Sequence, residues 1–245
     1  MIRIILSLLC LSFATAAWAA EGPALEHANI NLSDKASLQR GARTFVNYCM
    51  SCHSAQYSRF NRVARDLDIP DKLMVKNMMF TTKKIGNTMT VAMRPEDAEK
   101  WFGVAPPDLS VIARARGEDW LYTYLMTFYL DPKRPTGVNN LVFKDTAMPD
   151  ILWELQGLQR PVMKTEKDAD GKEIEVIDGF EIARHGLESE EEYRQTARDL
   201  VNFLVYVGEP ARLVRTGIGV WVILFLLGLL AVVYPLKKEY WKDVH

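Results

Sequence analysis

The sequence predicts a mainly α-helical domain followed by one C-terminal transmembrane helix. Three observations carry this expectation. Apolar residues recur at intervals of three and four, at Leu38, Ala42, Phe45 and Cys49 and again at Tyr193, Ala197, Leu200, Val201, Leu204 and Val205, which lines one face of a helix. Ser189-Glu190-Glu191-Glu192 has the capping-box pattern just before the second of these windows. Residues 216–236 form a run of 21 positions without a charge, rich in Leu, Val and Ile, and at roughly 1.5 Å per residue that is about 30 Å of helix, enough to cross a bilayer core.

The ends of the chain set its organisation. Met1-Ile2-Arg3 supplies one positive charge, residues 4–17 are uncharged and apolar, and Ala17-Trp18-Ala19 meets the small-x-small rule for signal cleavage. We therefore expect residues 1–20 to be a cleaved leader, with the cut after Ala19 or Ala20. Residues 21–210 form the exported domain, 211–236 the anchor and 237–245 a cytoplasmic tail. Arg212 and Arg215 precede the anchor, while Lys237, Lys238 and Lys242 follow it. Basic residues alone thus orient it weakly, and the leader decides the orientation. The 245 residues carry a formal net charge of −1, which gives no electrostatic basis for nucleic-acid binding.

In chain order, Ser33 or Asp34 is placed to cap the first helix, and Gly41 on it leaves room for a second helix, to which Phe203 and Tyr206 belong. The helix leads to Cys49-Met50-Ser51-Cys52-His53. Two cysteines two residues apart with histidine next is the attachment pattern of a c-type haem. The thiols bond the two vinyl groups on one edge of the ring, and the imidazole reaches the iron. A zinc site needs about four ligands, and no second Cys/His pair is present. Cys10 lies in the leader, so no cysteine pair remains for a structural disulfide.

Arg59, Arg62 and Arg65 are expected on a further helix, residues 86–93 in a loop or short strand, and a short helix from Pro95, where proline and acids occupy the first turn. Pro106 and Pro107 stiffen an extended corner. Arg114 and Arg116 fall on a helix ending near Gly117, and another helix is expected over residues 118–130, stopped by Asp131-Pro132. Asp170-Gly171 marks a hairpin turn between residues 164–169 and 172–177. Eleven acids between Glu166 and Glu192, against Lys167, Lys172 and Arg184, read as a solvated surface or as a docking face for a basic partner.

His53 supplies one axial ligand. For the other, Met148 before Pro149 is the sharper candidate, since proline stiffens the loop presenting the sulfur, and Met163 is the next. Of the other histidines, His27, His185 and His245, the first lies in the extended N-terminal stretch and the last follows the anchor, so neither of those two is well placed. A thioether opposite histidine raises the reduction potential and saturates the iron, which describes an electron carrier.

Residues 41–53, Ala105-Pro106-Pro107-Asp108-Leu109-Ser110, Arg114-Ala115-Arg116, Gly117-Glu118-Asp119, Ala147-Met148-Pro149 and the C-terminal span stand in an order that resembles the cytochrome c1 family. The resemblance covers nearly the whole mature chain. It implies a class I-type cytochrome c domain with insertions and one covalently attached haem c, held by Cys49 and Cys52 with His53 and Met148 as axial ligands. It further implies that Arg116 pairs with a haem propionate and that Pro107 packs in the haem pocket. Trp120 stands where many members carry tyrosine, and Met148 is followed directly by Pro149, where some members have an intervening residue.

The function so implied is that of the electron-transfer subunit of the bc1 complex, quinol–cytochrome c reductase. It would pass electrons from the Rieske iron–sulfur subunit to a soluble or membrane-bound cytochrome c. Cytochrome b would be its membrane partner in a dimeric complex of the inner membrane, with the haem domain in the periplasm. The chain alone is a carrier; the complex is the enzyme. The rival readings are a stand-alone anchored shuttle, a membrane-anchored haem peroxidase, and a haem subunit of an oxidase or nitric oxide reductase. The C-terminal position of the anchor speaks against the last.

Overall fold

A computed structural model describes residues 22–167 and 171–243. Its described residues are about half helical, with three two-stranded antiparallel sheets set between the helices. The expected leader with Cys10, residues 168–170 at the expected hairpin turn, and His245 lie outside the described residues.

Two helices build the centre. α1 (Lys35–Thr44) is capped by Asp34, whose carboxylate accepts the Ser37 N–H at 3.0 Å. Its last turn passes into a wider π-helical segment, Phe45–Cys49, which delivers the first cysteine of the motif. The long helix α8 (Glu190–Gly208) crosses α1 at Gly41. A Cβ built at Gly41 would lie 2.0 Å from the Asp199 carbonyl oxygen and 2.8 Å from Phe203 Cβ. Glycine is therefore what lets the two backbones touch. Beside this contact Arg40 binds the buried Asp199 carboxylate through Nε at 2.5 Å and Nη2 at 3.1 Å.

Between the central helices the chain makes small elements. β1 (Ala55–Arg59) pairs with β2 (Thr88–Met89), and between them run α2 (Phe60–Asp66) and α3 (Asp71–Asn77). Arg59 is thus on a strand rather than on the expected helix. Its guanidinium donates to the Gly86 carbonyl at 2.6 Å, and only Arg62 and Arg65 are helical. α4 (Pro95–Phe102) and α5 (Ile112–Arg116) follow. α6 (Glu118–Met126) ends four residues short of the expected boundary at 130. The apolar run continues as β3 (Phe128–Leu130), which pairs with β4 (Val138–Asn140). Aromatic and apolar residues suit either structure, and the return of β4 supplies backbone partners that another helical turn would forgo.

After the short α7 (Trp153–Gln156), β5 (Gly157–Lys167) and β6 (Glu173–His185) form a hairpin longer than expected, with bulges at 158/159 and 162/163. Most of its residues outside the base are exposed. Ser189 then opens α8 (Glu190–Gly208) with the expected capping box. From Leu200 to Val207 every residue of α8 is buried, so this half is enclosed on all sides and not only along the expected stripe. Asn202 is accommodated there because its amide donates to the Asn31 carbonyl at 2.8 Å and to Ser37 Oγ at 2.9 Å. α9 (Arg212–Tyr240) is the one helix among the described residues long and apolar enough to cross a membrane, and none of its residues is buried.

An N-terminal strap, residues 26–31, lies across α6 and α8. Asp119 accepts the Ala28 N–H at 2.8 Å and the His27 Nδ1–H at 2.8 Å, and Arg194 Nη1 meets Glu26 at 2.5 Å. The Ala28 hydrogen bond, aided by His27 and opposed by partial burial, holds the Asp119 carboxyl below its ordinary range. A depressed folded-state pKa stabilises above the unfolded value and is lost as pH falls through the folded one. The strap is therefore expected to stay pinned through the ordinary carboxylate range and to loosen only below it. A carboxyl resonance for Asp119 titrating with exposed carboxylates, near pH 4, contradicts this.

Candidate haem and electron-transfer site

Cys49, Cys52 and His53 stand on one turn. The N–H groups of Cys52 and His53 both reach the Cys49 carbonyl, at 3.1 and 2.8 Å. Cys49 is buried and Cys52 half-buried, and both are free thiols. Burial, with Cys52 alongside, pushes the Cys49 thiol up to about 12, so it stays protonated at neutral pH.

The histidine is oriented by the Pro106-Pro107 corner. His53 Nδ1 lies 2.7 Å from the Pro107 carbonyl. A carbonyl only accepts, so Nδ1 carries the proton and Nε2 keeps its lone pair. Burial is the leading influence on this imidazole and lowers its pKa against the opposing pull of the Pro107 carbonyl and of Asp108. The ring is therefore held neutral, as a metal ligand must be. The corner is itself tied down. The Leu109 N–H donates to the Ser54 carbonyl at 2.7 Å, Asp108 Oδ2 accepts the Gln56 N–H at 3.0 Å, and Ser110 Oγ accepts the Tyr57 N–H at 3.1 Å. The segment after the histidine and the proline corner thus hold one another. Asp108 and Ser110 carry this work, although nothing in their spacing announced a role.

Met148 packs half-buried against the core and lines a tight crevice with Leu125, Phe128, Asp150 and Tyr193. Its loop is shaped by Asn139 and Asn140. Asn139 Oδ1 accepts the Asp145 N–H at 2.8 Å, Asn140 Oδ1 accepts those of Val142 and Phe143 at 3.1 and 3.2 Å, and the Asn140 amide donates to the Tyr124 carbonyl at 2.7 Å. Thr146 Oγ1 accepts the Met148 N–H at 3.3 Å and shares a 3.0 Å hydrogen bond with the Tyr124 hydroxyl. Paired asparagines ahead of a loop are a turn signal, and that is the trace the sequence carries of this arrangement. Met163, the second candidate, sits on β5 opposite Ile177 and is 48% exposed. His27 is bound to Asp119, and His185 lies on exposed β6. Asp150, two residues beyond Met148, is pushed up to about 7 by burial against a single opposing hydrogen bond from the Leu152 N–H.

Arg116 is exposed at the end of α5, its guanidinium 5.0 Å from the Trp120 ring centre and 5.6 Å from that of Phe143. Trp120 stacks on Tyr124 at 5.1 Å and 8°. Trp120 thus acts here through its ring face. His53 and Pro107 are in direct contact, Cys49 and Cys52 share their turn, and Met148 and Arg116 meet through the Trp120–Tyr124–Thr146 chain of contacts.

The donor set fits a covalently held haem: two free thiols and an imidazole with Nε2 available, all on one turn. The cytochrome C1 family model matches residues 26–244. Cytochrome c1 of Allochromatium vinosum is 50% identical over 224 residues, covering 91% of each chain. A Nitrosomonas europaea protein described as the ammonia monooxygenase gamma subunit is 47% identical over 221 residues, covering 90% of this chain and 89% of that one. Among solved structures, a chain of a hyperthermophilic respiratory complex III aligns over 99% of this chain and 98% of its own, at 17% identity and a TM-score of 0.41. With the family model spanning nearly all of the sequence and half of the aligned residues shared with a cytochrome c1, this chain belongs to the cytochrome c1 family.

Proposed function

We propose that this chain is the electron-transfer subunit of a cytochrome bc1 complex, taking electrons from a Rieske iron–sulfur subunit and passing them to a cytochrome c. The observation that carries the reading is the His53 imidazole, oriented by the Pro107 carbonyl beside two free thiols, in a chain of this family. Cys49 and Cys52 would hold a single haem c by thioether bonds, His53 Nε2 and the Met148 sulfur would ligate its iron, and Pro107 would pack in its pocket. Arg116 would pair with a propionate. The haem, when bound, supplies a one-electron couple at its iron.

The chain's own residues set how that couple behaves. His53 is kept neutral and in one orientation, by burial and by the Pro107 carbonyl at Nδ1. The Asn139–Asn140 loop and the Tyr124–Thr146 pair hold Met148. Residues 21–210 form a class I-type haem domain in the periplasm, oriented by the leader at residues 1–20. Residues 211–236 anchor it beside cytochrome b, and residues 237–245 face the cytoplasm. The complex is a dimer.

Met148→Ala is expected to lower the reduction potential by at least ~100 mV, out of the roughly 0.8 V that axial ligands command. A redox titration checks this, and Met163→Ala, altering an exposed side chain, should leave the potential in place. A reversed pattern would exchange the two assignments. The relative described as an ammonia monooxygenase gamma subunit supports a second reading, a haem subunit of a monooxygenase assembly. Detergent purification from native membranes separates the two. Co-purification with a b-type cytochrome and a Rieske protein, with quinol–cytochrome c reduction, supports the first. A haem chain isolated with neither would refute it.

A further inference from the structure

Arg116 is held in place without being neutralised. Among the described residues it has neither an ion pair nor a side-chain hydrogen bond, and its guanidinium meets the rings of Trp120 at 5.0 Å and Phe143 at 5.6 Å instead. The neighbouring acids are engaged elsewhere. Asp119 accepts from Ala28 and His27, and Glu118 faces Arg212 at 3.9 Å. The bend that brings Arg116 over Trp120 is made at Gly117, whose φ of +91° separates α5 from α6. Of the two rings, Trp120 is the fixed one. It is half-buried and lies flat on the buried Tyr124, at 5.1 Å and 8°. Tyr124 is itself tied down, its hydroxyl to Thr146 at 3.0 Å and its carbonyl to the Asn140 amide at 2.7 Å. Phe143 is 45% exposed and meets Trp120 edge-on at 6.2 Å.

A ring face attracts a guanidinium through its quadrupole but does not cancel the charge as a carboxylate would. Arg116 therefore keeps its full charge, and N–H donors for a planar anion, in a place that the rings set. We propose that Trp120 is a positioning residue. Its indole face, braced on Tyr124 and assisted by Phe143, holds the Arg116 guanidinium where it would pair with a haem propionate, and through that charge raises the reduction potential. A positive charge beside the haem favours the reduced iron, which carries one positive charge fewer. Indole binds cations best among the aromatic side chains, so tryptophan at this position supports the arginine, whereas a tyrosine could also offer its hydroxyl to the anion directly. The proposal rests on the reading of Arg116 as the propionate partner.

The test is a potentiometric titration of the c-type haem in the intact assembly purified from membranes in mild detergent. Arg116→Gln should shift the reduction equilibrium about tenfold towards the oxidised form, which is about 59 mV for a one-electron couple. Trp120→Leu should shift it about fivefold in the same direction, and Trp120→Phe, which keeps a ring face, by no more than about twofold. In the Arg116→Gln background Trp120→Leu should add nothing, because Trp120 acts through Arg116. A residue that merely fills space would add its own shift there. A parent-like potential for Trp120→Leu overturns the proposal, and so does additivity in the double variant. If Trp120→Leu does not assemble with haem, Phe143→Leu decides, since that side chain is exposed enough to be cut without opening the core. A shift of about twofold that vanishes in the Arg116→Gln background supports the clamp, and no shift overturns it. An unchanged potential for Arg116→Gln alone would instead defeat the propionate reading, and the positioning role with it.

Discussion

Serine at both Cys49 and Cys52 is expected to abolish covalent haem, leaving no haem stain on a denaturing gel and a fall of at least ~100-fold in quinol–cytochrome c reduction. The magnitude follows from what the two thiols do. No other cysteine stands among the described residues to replace them. A haem held only through His53 and Met148 would exchange with solvent, because each ligand bond reverses independently. Cys52→Ser alone should retain one thioether and show the spectrum of a haem with one free vinyl group. Pro107→Ala provides the contrast. The hydrogen bond to His53 comes from the backbone carbonyl, so the acceptor survives and only the restriction on φ is lost. That variant should keep its haem and most of its activity. Full activity in the double-serine chain would remove the site assignment altogether.

The second large effect is on stability. Gly41→Ala places a Cβ 2.0 Å from the Asp199 carbonyl oxygen and 2.7 Å from its carbon. Both are backbone atoms of α8, which cannot swing aside as a side chain would. The helices must part, which disturbs the Arg40–Asp199 pair and the ring contact of Phe45 with Phe203 at 5.5 Å. Overpacking costs about 1–3 kcal/mol in a typical core, and this contact belongs at the upper end or beyond. A loss of about 3 kcal/mol corresponds to a drop on the order of 10 °C in the unfolding midpoint for a chain of this size. Gly86→Ala serves as the control, since a Cβ there meets nothing within 4 Å. If the two variants melt together, the close helix crossing is not the keystone of this fold.

Local signals were the readable part. The haem motif, the capping box at Ser189, the Asp34 cap, the membrane-length run and the small residue at Gly41 each depend on neighbours within a few positions or on one period. Misreadings occurred where local preference was ambiguous. Arg59 belongs to a strand because β2, far along the chain at Thr88–Met89, returns to pair with β1. Residues 128–130 leave the helix because β4 offers them partners. The hairpin of β5 and β6 is longer than its turn signal implied because cross-strand pairing continues down to Gly157 and His185.

By itself, then, the sequence determined which residues have the chemistry to bond a haem, where a run long enough to cross a membrane stands and what family it resembles. Those properties follow from side-chain chemistry and short periodicities. Only the tertiary structure decided how the site is held. It showed the Pro107 carbonyl selecting the His53 tautomer, Asn139 and Asn140 shaping the Met148 loop, and Trp120 presenting its ring to Arg116. Hydrogen bonds and charge clusters between distant segments have no period to read, because they exist only after the backbone has closed around them.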